Sequence, residues 1–369
     1  MAFKDMQVFL YGDSIKVNYT DKTHRYQARE RVNWELPKDN PKAWGKALYP
    51  KGCTTILGNT LEKKGLQRYP LTKALMYMFQ FYEFTDDNGE KKMGYSKKGA
   101  GSFWEDPANV EDGSVKMKQF TRDEAIEALS YGSKADLRWT QKGADIGSVV
   151  HDAIEHFVRA QSGEDIESFD IPSQYKASIE SADYESDRAK QQAIEEIDKD
   201  VAMAQKAYER FVTWWNETKP ELIGAEDLIY SKQHNICGTF DGLLRIEGKG
   251  VVLADWKTSN ASQSKDACMP EGVNYQYFLQ SAIYAMAWME MGREEVDDLL
   301  IVSCRKDGGF SPIFASDLGL TVKDCINWAK AVIVCLRMMD VTKTALWEHG
   351  VANGAVIEKV KKTTKKEAK

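Results

Sequence analysis

Three observations predict an α/β domain. Two long stretches with helical spacing of apolar residues come first, at about 141–161 (containing IGSVVHDAIEHFV) and about 190–217 (containing AMAQKAYERFVTWWNE). Strand-like runs follow at 224–231, 235–247 and 250–257. A very apolar helix at about 273–291 then leads to a further strand at 298–305.

Ahead of these, residues 15–28 (IKVNYTDKTHRYQA) alternate on either side of the polar TDKT and predict a hairpin, followed by a prolyl, polar connection to about Pro50. From Thr54, TTILGNTLEKKGLQRYPLTKALMYMFQFY keeps helical spacing, and DDNGEKKMGYSKKGAGS after it reads as a flexible loop. The polar, acidic SGEDIESFDIPSQYKASIESADYESD between the two long helices reads as a surface excursion. The last eleven residues, KVKKTTKKEAK, carry six lysines and no apolar stripe, and are expected to be disordered, as a solvated tail or a phosphate-contacting arm. The expected organisation is an N-terminal hairpin extension (1–50), a main domain (51–350) and a basic tail (351–369).

The formal net charge of -6 and the pI near 5.6 exclude a protein that coats nucleic acid through a generally basic surface. No apolar run approaches the roughly 18 residues that span a bilayer, and MAFKDMQVFLYGDS lacks a signal-peptide core, so a cytoplasmic protein is expected. The six cysteines are scattered without a C-x-x-C pair, which predicts mainly buried thiols and no iron-sulfur cluster. The absence of G-x-x-x-x-G-K-[ST] speaks against ATP as a cofactor.

One stretch carries chemistry. In GTFDGLLRIEGKGVVLADWK (238–257) each of two apolar runs holds one aspartate. A hairpin centred on Gly248 pairs residues whose numbers sum to 496, and Asp241 and Asp255 satisfy that rule. Facing residues lie about 5 Å apart at Cβ, so the two carboxylates would share a face and need a cation between them. Lys257, two residues on, shares the face of Asp255. A two-residue turn would instead pair Asp241 with Trp256 and dissolve the arrangement. The triplet DWK alone carries little weight: with 56 acidic and 50 basic residues, about 8 acid-x-base triplets arise by chance. Its weight comes from ending an apolar strand opposite a second aspartate. A surface salt-bridged hairpin is the plain alternative. Two carboxylates suit a hard cation such as Mg²⁺, which polarises a phosphodiester and acidifies water, while the lysine steadies developing charge.

With GSVVH ending at His151, GTFD ending at Asp241, DWK from Asp255 to Lys257 and QSAIY from Gln280 to Tyr284, the chain resembles the PD-(D/E)XK nuclease superfamily. Within it the resemblance is to the RecB-like branch and its phage-type exonucleases, over roughly residues 50–290. It implies a central mixed β-sheet flanked by helices, and DNA as the partner. It further implies metal held by His151, Asp241, Asp255 and the backbone carbonyl of Trp256, with Lys257 catalytic and Gln280 and Tyr284 completing the site. A histidine ligand predicts that Mn²⁺ substitutes for Mg²⁺. A phage recombination or replication protein would be a fitting partner, in the host cytoplasm.

Other residues are less determined. Glu155, one turn after His151, reads as a contact to a second metal, as a brace for the histidine ring, or as a solvated carboxylate. Glu226 matches an acidic position of the branch or forms a surface ion pair. Gln276 extends the Gln280/Tyr284 stripe one turn earlier. Lys91, Lys92, Lys97 and Lys98, among glycines, read as a DNA contact or as an ordinary loop. Trp214 and Trp215 are expected in the core, with one of them stacking on a base as the other reading.

Overall fold

The computed structural model describes residues 6–20, 25–60, 81–85, 91–95, 135–184, 187–259 and 272–352. Its N-terminal strands β1 (Met6–Leu10), β2 (Ile15–Thr20) and β3 (Arg25–Glu30) form an antiparallel sheet. The predicted hairpin is therefore joined by a strand, β1, that sequence reading passed over. A short β4 (Lys51–Gly52) leads into α1 (Cys53–Thr60), and β5 (Phe81–Thr85) pairs with β6 (Lys91–Tyr95). Two expectations need correction here. Phe81 and Tyr82 belong to a strand rather than to the end of a helix, and Lys91–Tyr95 is a strand rather than flexible loop. β-Branched and aromatic density in FQFYEFT favours a pleated ribbon over a helix.

The long helices are α2 (Ala135–Gln161) and α5 (Ile197–Thr218), separated by α3 (Ile171–Ser181) and α4 (Asp187–Glu195). The acidic excursion therefore contains a helix, capped by Asp170 and burying Ile171, Tyr175 and Ile179. Three apolar residues at i, i+4, i+8 are enough to dock it among acidic neighbours. Strands β7 (Glu221–Ser231), β8 (Ile236–Ile246) and β9 (Gly250–Ser259) follow, then α6 (Tyr275–Glu290), β10 (Asp298–Arg305), β11 (Phe310–Phe314) and α7 (Val322–Ala352).

The β8–β9 turn sets the register. Ile246 pairs with Gly250, leaving a three-residue loop in which Gly248 takes φ +76°, a left-handed conformation that costs glycine little. Every pair down to Gly242–Ala254 obeys the sum of 496. The ladder stops there, one step before Asp241 and Asp255, because the two strands part. β9 continues beside β10 in parallel, from Asp298–Val252 to Arg305–Ser259, with α6 as the crossover that a parallel pair requires. β8 continues beside β7 on its other edge, while β4 takes up Ile236 and Cys237. Among the described residues, 238–241 of β8 and 255–259 of β9 thus have no strand between them. The site lies in this fork.

The mixed sheet, in order β11-β10-β9-β8-β4 with β7 also on β8, separates two cores. Val251, Leu253, Leu299 and Ile301 pack on α6, α7 and α1. Val252, Ala254, Trp256, Leu300 and Val302 pack on α2, α3 and α5, where Phe211, Trp214 and Trp215 form an aromatic cluster. The N-terminal sheet buries Leu10, Ile15, Val17, Tyr19 and Ala28 against Leu228, Tyr230 and Cys237. Cys53, Cys237, Cys304 and Cys325 are buried free thiols and Cys335 is exposed. Cys268, Lys97, Lys98 and residues 353–369 of the basic tail lie outside the described residues, while Val351 and Ala352 end α7. Among those described, no helix is long and apolar enough to cross a membrane.

Candidate active site

Strand alternation carries Asp255 and Lys257 to the α6 side, with Val251 and Leu253. On β8, Leu243 faces the same side, so strict alternation would turn Phe240 away from it. Phe240 nevertheless packs edge-on against Trp288 of α6. The alternation is therefore interrupted between Phe240 and Leu243, and Asp241 meets α2. Its Oδ2 lies 3.2 Å from Nε2 of His151 and accepts a 2.6 Å hydrogen bond from the backbone N–H of Trp256. The Asp241 carboxylate thus reaches the β9 backbone just past the point where the ladder ends.

Across the other edge of β8, Glu226 stands in register with Asp241, yet the ladder skips this pair between Ala225–Gly242 and Asp227–Phe240. Glu226 has φ +53°, a left-handed conformation that costs a non-glycine residue about 1–3 kcal/mol and that clusters at functional sites. This turn brings Oε1 to 3.8 Å from Nδ1 of His151. Among the described residues, His151, Glu226 and Asp241 each bring a ligand atom within 4.8 Å of the other two. His151 is surrounded by protein atoms yet keeps 30% of its side-chain surface accessible.

Asp255 is fully buried. Its Oδ2 is paired with Nζ of Lys257 at 2.6 Å, and its Oδ1 is buried without a hydrogen-bond donor. Glu226 Oε1 is likewise buried without a donor. A buried carboxylate normally collects hydrogen bonds, so two donorless oxygens, Asp255 Oδ1 and Glu226 Oε1, at one fork suit a cation.

Electrostatics reflect this crowding. Burial pushes the Glu226 carboxyl up to about 8, with the Asp241 charge adding and His151 opposing. Burial also raises Asp255, against the pull of Lys257. Burial opposes ionisation of Asp241 too, but His151 and Lys257 overrule it and hold that carboxyl below its ordinary value. For His151, burial alone would depress the imidazole, yet Asp241 and Glu226 lift it to about 9. Lys257 is raised in the same way, burial being outweighed by Asp255 and Asp241. It therefore stays an ammonium, with Nζ 5.4 Å from the ring centre of Tyr277.

The α6 stripe approaches from above the fork. Gln280 Nε2 donates to the Tyr284 hydroxyl at 2.9 Å, and burial with the nearby Cys53, Asp255 and Asp241 drives the Tyr284 phenol well above its usual range. Gly238 is the reason the ring fits: a Cβ there would lie 2.5 Å from the Tyr284 ring. Gly242 similarly leaves room for the Trp256 indole. Gln276 is buried and its Nε2 donates to the Tyr275 hydroxyl at 3.4 Å. Glu155 is held by Arg159 at 2.9 Å, so its partner is a guanidinium rather than the histidine ring. Lys91 and Lys92 lie on β6.

The model of the PD-(D/E)XK nuclease superfamily matches residues 128–340, more than half of the chain. The chain belongs to that superfamily and is a nuclease of the metal-dependent kind. None of the curated proteins matches it. Tyr277 went unnoticed in the sequence. Its signal was its place one residue after Gln276, within the apolar run that also carries Gln280 and Tyr284.

Proposed function

We propose that the protein hydrolyses DNA phosphodiesters from a strand end, using Mg²⁺ or Mn²⁺ held by His151, Glu226, Asp241, Asp255 and the carbonyl of Trp256. The observation that carries this reading is that Glu226 and Asp255 each hold a buried oxygen without a hydrogen-bond donor, beside a charged lysine at a split in the sheet. The donor set is hard oxygen plus one imidazole, which fits those ions. A bound divalent ion supplies Lewis-acid polarisation of the phosphodiester and a more acidic water.

The chain's own groups divide the rest. Lys257 keeps its proton and steadies negative charge on the reacting phosphate. Asp255 pairs with the ammonium, and the Tyr277 ring lies 5.4 Å from it. Gln280 and Tyr284 hold one another and form the wall of the fork on the α6 side. Recombination, repair or replication of phage DNA, together with a phage partner protein, is the setting that the motif pattern supports.

End-labelled linear duplex and covalently closed circular DNA, each incubated with Mg²⁺ or Mn²⁺, test the reading. The linear substrate should be degraded and the circle spared, whereas cutting of the circle would assign an endonuclease. Lys257→Ala should lower the rate at least about 100-fold. Equal digestion by wild type and Lys257→Ala would remove the lysine from the mechanism.

A further inference from the structure

The N-terminal sheet has two unlike faces. One is the apolar face packed on β7 and β8. By strand alternation the other carries three cations, Lys16, Arg25 and Arg29, three amides, Gln7, Asn18 and Gln27, and Thr20 and Phe9, with no carboxylate; the buried Trp44 covers the Phe9 end and leaves the Arg25 end open. Lys16 stands opposite Arg29, and Asn18 opposite Gln27. Among the described residues no carboxylate pairs with these three cations, whereas Lys38 is taken by Asp13 and Lys51 by Asp340. Residues 1–52 hold ten lysines and arginines against six aspartates and glutamates, a net +4 in a chain of -6. Positive charge is therefore concentrated here, against the overall sign.

Aromatic rings flank this face. The strand-like pairing of Leu48 with Ala28 sets Tyr49, 66% exposed, beside the sheet, and Gln27 Nε2 donates to its hydroxyl at 3.3 Å. Trp34 is 57% exposed and carries the Arg31 guanidinium 4.5 Å from its ring centre. Arg29 is held by Gln27 Oε1 and the Gly45 carbonyl and Lys16 lies 5.0 Å from the Trp44 ring, so these cations are positioned without a carboxylate to neutralise them. Open rings beside such cations and amides are the combination that takes unpaired bases by stacking and their phosphates by charge. A duplex would present no base face to these rings. The sheet is also close to the fork: Leu228, on which it packs, is two residues along β7 from Glu226, and Cys237 is four along β8 from Asp241, about 13 Å at 3.3 Å per residue.

We propose that the outer face of this sheet is a binding platform for single-stranded DNA, receiving the unpaired strand next to the nuclease site. The identity of the strand rests on the proposed DNA nuclease activity; binding itself does not.

The test is fluorescence anisotropy in EDTA, with a labelled oligothymidylate of about 16 nucleotides and a blunt duplex of equal length. Wild type, Trp34→Ala/Tyr49→Ala and Arg25→Glu are compared, with Lys257→Ala as a site variant. The two platform variants should bind oligothymidylate about tenfold more weakly and the duplex nearly unchanged, with wild-type melting curves. Their Mn²⁺-dependent hydrolysis of bis(p-nitrophenyl) phosphate, too small to reach the sheet, should equal that of wild type. Wild-type affinity for oligothymidylate in both variants, or an equal loss on duplex, would overturn the platform. Lost oligothymidylate binding in a protein that hydrolyses neither DNA nor the small ester would uphold the platform and sink the nuclease reading instead.

Discussion

Glu226 concentrates the conflict between stability and function in one side chain. It takes a left-handed backbone conformation inside a strand, buries an oxygen without a donor, and stands in register beside Asp241. Its folded-state carboxyl is raised to about 8, while an unfolded chain would titrate near the ordinary value of about 4.3. Between those values the folded protein retains a proton that the unfolded chain has released, so stability falls as pH rises through this window and levels off above about 8. Glu226→Gln removes the charge and keeps the shape. Without metal it should melt about 2–4 °C higher than wild type at pH 8.5, and by a smaller margin at pH 6. With saturating Mn²⁺ the order should reverse, since the wild type gains a ligand contact and the variant does not. Melting curves at both pH values decide it, and a variant that stays ahead with Mn²⁺ would remove Glu226 from the metal site. The sequence named this residue but left two readings of it open, because a positive φ inside a strand leaves no trace in residue type.

At the scale of elements, the motifs turn out to be packing partners. Gly238 and Tyr284 are 46 positions apart, yet the ring occupies the space a Cβ would need. Gly238→Ala should cost about 1–3 kcal/mol through overpacking and displace α6 from the fork. Replacing Tyr284 by leucine in the Gly238→Ala background should return part of that loss, a coupling of at least about 0.5 kcal/mol in a double-mutant cycle. Additive losses in urea titrations would show that the glycine serves another purpose. The same comparison shows what was legible. The Gly248 turn, the register of 496 and the pairing of Lys257 with Asp255 could be read from spacing, since each depends on local period and turn chemistry. The parting of β8 from β9 could not, because it is imposed by β4, β7 and β10 competing for strand edges. So the two aspartates do not simply face each other: Asp241 turns to His151 and Asp255 to Lys257. β11 and the strand β6 were missed for a related reason, their short runs gaining strand character only from a partner.

Across the whole molecule, the N-terminal sheet and the strands of the fork share one piece of framework. Leu228, Tyr230 and Cys237 belong to β7 and β8 and at the same time to the core beneath β1–β3. Polar ties cross the same boundary: the Tyr11 hydroxyl donates to the Tyr230 carbonyl at 2.8 Å, and Lys232 pairs with Glu30 at 2.6 Å. A sheet of three short strands with one buried face has little stability of its own, so it should open only when the strands beneath it open. Metal at the fork then protects it from a distance. At about 100 times its dissociation constant, Mn²⁺ adds about 2.7 kcal/mol to any opening that releases the ion. Amides of Ile15–Thr20 should therefore slow in hydrogen exchange by the same factor as amides of Ile236–Ile246, roughly 100-fold. Protection confined to β8, with β2 exchanging at its metal-free rate, would mean that the N-terminal sheet opens as an independent unit. In that case a DNA strand bound on its outer face would be carried by a detachable module, and not by the framework that holds His151, Glu226 and Asp241 in place.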